Sequence, residues 1–70
     1  MAESVYKVIE LVGTGEKSWE KAAEAAVARA AKSLRDLRIA EVVQMDLQIE
    51  KGKPTTFRTK LKVSFKYEGK

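Results

Sequence analysis

The chain reads as an α+β domain of order β-α-β-β, an antiparallel sheet covered on one side by one helix. Three observations predict this. From Thr55 to Tyr67 the residues alternate, with Phe57, Leu61, Val63, Phe65 and Tyr67 at odd positions and Arg58, Lys60, Lys62, Ser64 and Lys66 at even ones. A period of two over that length gives a strand with one dry face and one wet face. Between Trp19 and about Asp36 the period becomes helical: Trp19, Ala22, Ala23, Ala26, Val27, Ala30, Ser33, Leu34 and Leu37 form one stripe. Gly52, set between Lys51 and Lys53, makes a hairpin turn between the last two apolar runs.

The elements follow in order. Ser4 to Val12 is rich in β-branched and aromatic residues and predicts strand one. Gly13-Thr14-Gly15-Glu16-Lys17 predicts a turn, its two glycines free to take positive φ. Ser18 is a good N-cap, and Glu20 falls in the first helical turn, where a carboxylate suits the helix dipole. Most of the helical stripe is alanine, and small side chains let a helix lie close to a concave sheet. Glu24 has Glu20 at i−4, but it can meet Lys21 at i−3 instead. Strand two spans about Arg38 to Glu50, with Val42, Val43, Met45, Leu47 and Ile49 as its apolar content. Parity places Glu41 with Val43, Met45, Leu47 and Ile49 on the core side. A bulge or strand start would swing it to solvent; the sharper alternative is a buried ion pair with an arginine across a subunit boundary. Pro54 removes a backbone N–H at the entrance of strand three, and Glu68-Gly69-Lys70 forms a frayed tail.

Seventy residues make one domain, 1–70, with a thin stability margin. A strand this long with one helix to cover it leaves sheet surface and an edge for something else to manage, which predicts an oligomer. There is no cysteine, so disulfides and thiolate metal sites are excluded. There is no histidine, which removes the commonest general base and transition-metal ligand. Nothing in the sequence pairs Glu10, Glu41, Asp46, Glu50 or Glu68 across a substrate pocket, and serine and threonine have no histidine partner, so catalysis is not expected. No apolar run approaches the roughly 20 residues that span a membrane. Met1-Ala2-Glu3-Ser4 leads straight into a strand pattern, without the regions of a signal peptide, and a cytoplasmic protein is the default.

The formal net charge is +4, which most often means solvated surface. Arg58, Lys60, Lys62 and Lys66 form a basic row that could meet a polyanion, but it has no interleaved aromatics on its own face, so nucleic acid is not the expected partner. Gly13-Thr14-Gly15-Glu16-Lys17-Ser18 falls short of a phosphate-binding loop, because Glu16 and Leu11 stand where glycines are required. The same segment lacks the third glycine of a dinucleotide fingerprint.

Tyr6-Lys7-Val8-Ile9-Glu10-Leu11-Val12-Gly13-Thr14, Ala28-Arg29-Ala30, Ala40-Glu41-Val42 and Val63-Ser64-Phe65, in this order and spacing, make nearly the whole chain resemble the dodecins. The resemblance implies a three-stranded antiparallel sheet wrapped around one helix, and twelve copies assembled into a hollow shell of cubic symmetry. It implies a non-enzymatic protein that binds or stores small ligands. The best-known members hold flavins (riboflavin, FMN or FAD) between tryptophans of symmetry-related subunits, with a glutamine of the last strand on the ring. By position the tryptophan falls on Ile39 and the glutamine on Arg58, so flavin affinity should be weakened. Ile39 keeps apolar contact without the planar face; Arg58 donates hydrogen bonds but adds charge and cannot accept, which favours an anionic or phosphate-bearing ligand. With Gln44 and Gln48 of strand two, these are the expected ligand-contacting residues. Trp19, at the helix start, is read as core or interface. The pattern Ser18-Trp19-Glu20 with Arg58 is similar to a branch that includes a calcium-binding member. Calcium wants several hard oxygens, here Glu41, Asp46, Glu50 and backbone carbonyls, and the resemblance does not place a metal site among them.

Overall fold

Residues 3–67 are described by a computed structural model. The frayed tail expected at 68–70, with Glu68, lies outside them. Strands β1 (Tyr6–Gly15), β2 (Leu37–Glu50) and β3 (Lys53–Lys66) and helix α1 (Trp19–Ala31) follow the expected order. β3 is central and pairs antiparallel with both neighbours, giving the sheet order β1-β3-β2.

The alanine stripe sets the core. Ala22, Ala26 and Ala30 are buried beneath α1; Ala26 packs with Leu61 and Val63 of β3, and Ile9, Leu11, Ala23 and Leu37 pack around that cluster. Ser18 caps the helix, its hydroxyl accepting from the Lys21 N–H at 3.0 Å. The Lys21–Glu24 pair forms at 3.7 Å, on the exposed side.

Two expectations change. The glycines after Val12 do not make a turn: β1 continues through Gly13 and Gly15, and the turn falls on Glu16 and Lys17. The reason is steric, since a Cβ on Gly13 would collide with the carbonyl of Ala22. These glycines admit the helix rather than bend the chain. The helix also stops at Ala31, short of the expected Asp36. The chain closes with the Ser33 and Leu34 N–H groups on the Ala30 carbonyl, and Asp36 takes a left-handed φ of 57°. Leu37 must then start β2, opposite Phe65.

Glu41 takes the alternative to strand parity, the bulge that turns it to solvent. β2 slips against β3 at Leu37/Ile39, Val42/Gln44 and Gln48/Ile49. Ala40 and Val42 face Val63 and Leu61 on the helix side, whereas Glu41 lies opposite Lys62 on the other face. The slip at Val42/Gln44 breaks the parity that grouped Glu41 with Met45 and Leu47. Those two apolar residues do return to the helix side, opposite Thr59 and Phe57.

α1 lies over β1 and β3 and barely touches β2. Val42, Val43, Met45, Leu47 and Ile49 are left exposed along a hairpin that stretches the molecule to 55 Å in length and 20 × 16 Å in section. The hairpin closes through Lys51 and Gly52, whose φ values of 53° and 78° suit a two-residue turn of the I′ kind.

Candidate functional site

The sheet face turned away from α1 carries every residue expected to contact a ligand. Register across the three strands sorts this open face into rows. Val8, Ser64 and Ile39 form an apolar row, and Glu10, Lys62 and Glu41 a charged one. Val12, Lys60 and Gln44 come next, then Thr14, Arg58 and Asp46. Gln48 lies opposite Thr56 beyond them.

Two subsites result. The first is a groove of about 590 Å³ lined by Val8, Glu10, Ile39, Glu41, Lys62 and Ser64. Ile39 is 67% exposed on its wall, and its N–H donates to the Ser64 hydroxyl at 3.3 Å. The second is polar: Gln44, Asp46 and Gln48 of β2 flank Arg58 of β3. Ile39 and Arg58 do not meet within one chain. Their rows are separated by the β3 stretch from Arg58 to Ser64, roughly 20 Å at strand rise. A ring ligand much shorter than that gap cannot touch both within one chain.

The polar subsite has fixed geometry. Arg58 Nε donates to Asp46 Oδ1 at 2.7 Å and Nη2 to Oδ2 at 2.9 Å, a bidentate pair. These hydrogen bonds, and secondarily the guanidinium charge, hold the Asp46 carboxyl below the usual carboxylate range; the same contacts raise Arg58. On the other side, Trp19 Nε1 donates to the Asp46 carbonyl at 3.1 Å. The Trp19 ring meets Phe57 edge-on at 4.9 Å between centroids, and the Trp19 carbonyl accepts from the Thr59 hydroxyl at 3.0 Å. Trp19 therefore belongs to the joint between the helix start and the β2–β3 hairpin, and Asp46 is fixed by backbone and side chain.

The basic row of β3 is largely balanced. Arg58 pairs with Asp46, Lys60 reaches Glu10 at 3.9 Å, and Lys62 stands between Glu10 and Glu41 in register. This weakens the case for a polyanion surface. It also weakens a calcium site within one chain. Both Asp46 oxygens accept from Arg58, and among the described residues no group of three or more acidic side chains converges on one point.

Sequence reasoning missed two members of this face: Val8, which extends the apolar wall beside Ile39, and Asp46 as the partner of Arg58. β1 carries apolar residues on both faces, Ile9 and Leu11 as well as Val8 and Val12, so its pattern does not single out Val8. Among the described residues, no helix is long and apolar enough to cross a membrane.

The sequence matches the dodecin family over residues 5–68. It is 49% identical over 63 residues to the calcium dodecin of Mycobacterium tuberculosis, an alignment covering 90% of this chain and 89% of that protein. It is 42% identical over 64 residues to the dodecin of Thermus thermophilus, covering 91% and 93%. The structure superposes on the dodecin of Streptomyces coelicolor with a TM-score of 0.92 at 37% identity, over 100% of both chains.

Proposed function

This chain belongs to the dodecin family, and from that premise we propose that twelve copies form a hollow shell storing a small ring ligand of the flavin class. Dodecins are non-catalytic proteins, and this chain is not an enzyme. The observation that carries the assembly is the bare apolar strip of β2. Leu47 and Met45 are 40% and 56% exposed, so covering each contributes about half of the roughly 1.5–3 kcal/mol of full burial, and copies of the chain supply the cover that α1 does not. The ligand lies between copies, the apolar row of Val8 and Ile39 from one facing the polar subsite of Gln44, Gln48 and Arg58 from another.

The residues fit a flavin in part. Val8 and Ile39 offer apolar contact, and Arg58 with the two glutamines offers donors and acceptors. The planar stacking face is missing, since Tyr6 is the one aromatic side chain on the described open face. Base-on-aromatic stacking, the nearest analogue, contributes about 1–3 kcal/mol per ring, so binding is weaker than with a tryptophan at position 39. Calcium carried by one chain is not supported by the charge pairing above; carboxylates converging from several copies would be needed.

Light scattering tests the assembly: a mass of twelve 7.8 kDa chains supports it, and a monomer at micromolar concentration ends it. Flavin fluorescence quenching tests the ligand, with Ile39→Trp expected to tighten riboflavin binding about tenfold or more, the size of one stacked ring. Unchanged affinity in that variant would move the ligand away from position 39.

A further inference from the structure

The guanidinium of Arg58 has five N–H bonds, and Asp46 takes two of them. Three remain: both on Nη1 and the second on Nη2. The side chain is thereby oriented, its charge is balanced by a carboxylate in contact with it, and the backbone of Asp46 is itself held by Trp19 Nε1, which donates to its carbonyl. A free arginine on a wet sheet face would seek the strongest available anion, such as a phosphate. Here that capacity is taken up internally, and the adjoining rows add Glu10 and Glu41 against Lys60 and Lys62. The neighbours Gln44 and Gln48 are neutral.

We propose that Asp46 is a positioning residue for ligand selection: by holding Nε and Nη2 of Arg58 it makes the guanidinium a fixed, charge-balanced N–H donor, so that the open face takes a neutral ring bearing carbonyl acceptors in preference to a phosphorylated one. This rests on the flavin-class reading above and names the chemistry within that class. Riboflavin and FMN are the matched probes, since they share the ring and differ by the phosphate.

The test is a titration of the assembled protein with each flavin, read as the ratio of FMN to riboflavin dissociation constants. The wild-type protein should bind riboflavin the more tightly. Asp46→Asn should lower the ratio roughly tenfold, the size of one charge-assisted hydrogen bond released to the phosphate, and Asp46→Glu should bring it back toward wild type. Arg58→Gln is the complementary variant: it leaves the Asp46 carboxylate unpaired, and the ratio should rise. Mass and Trp19 emission, followed alongside, show whether each variant keeps its joint. A wild-type preference for FMN, or a ratio that Asp46→Asn and Arg58→Gln leave unmoved, overturns the assignment while the flavin reading stands. Absence of quenching by either flavin in the wild-type protein overturns both.

Discussion

The two halves of the sheet meet the same central strand and are treated in opposite ways. β1 pairs with β3 without a register shift, and its glycines let α1 settle onto that half. β2 pairs with β3 through three shifts and carries larger apolar residues that the helix leaves uncovered. The covered half uses small residues to bring backbones together; the bare half keeps its large side chains for something outside the chain. One α-helix is too narrow for three strands, and sequence decides which two it covers.

That contrast can be broken or sharpened by substitution. The largest effect should come from Gly13→Ala, whose new methyl meets the Ala22 carbonyl backbone. Overpacking of this kind costs about 1–3 kcal/mol, occasionally more, and urea unfolding should show a chain that barely folds; wild-type stability would mean the helix contact is loose. Next, Leu47→Asp should leave the β1–β3 half intact and abolish assembly, seen as a loss of mass by light scattering. An unchanged mass would show that the bare strip is not an interface. Trp19→Phe should be milder, removing one hydrogen bond to the Asp46 carbonyl worth about 1 kcal/mol; an unaltered urea midpoint would make the joint dispensable. Acidification should have the smallest effect. The folded Asp46 carboxyl is held below its unfolded value, so its stabilisation is present above the ordinary carboxylate range and is lost as pH falls through the lowered value. Asp46→Asn should flatten that acid limb, and an identical limb in both proteins would remove the pair from the account.

Much of this was legible in the chain. The alternation of β3 and the alanine stripe gave both faces and the core, because each is a strong periodic signal over many residues. Register was harder. A two-residue turn at Lys51-Gly52 alone would set Asp46 opposite Phe57, with a carboxylate on the apolar side. The slip at Gln48/Ile49 moves Asp46 opposite Arg58 and brings Leu47 to Phe57. The clash between turn register and apolar pattern was already in the sequence, but where the slip would fall was not. The glycines of β1 mislead for a related reason: a glycine needed for room looks the same in sequence as one needed for a turn. The distance between Ile39 and Arg58 followed only from the paired strands.

The uncovered strip of β2 makes stability a property of the population as well as of the fold. Copies that cover one another withdraw folded chains from the unfolding equilibrium, so heat resistance depends on protein concentration. Dilution should lower the melting temperature of this protein, and a tenfold more concentrated sample should melt later.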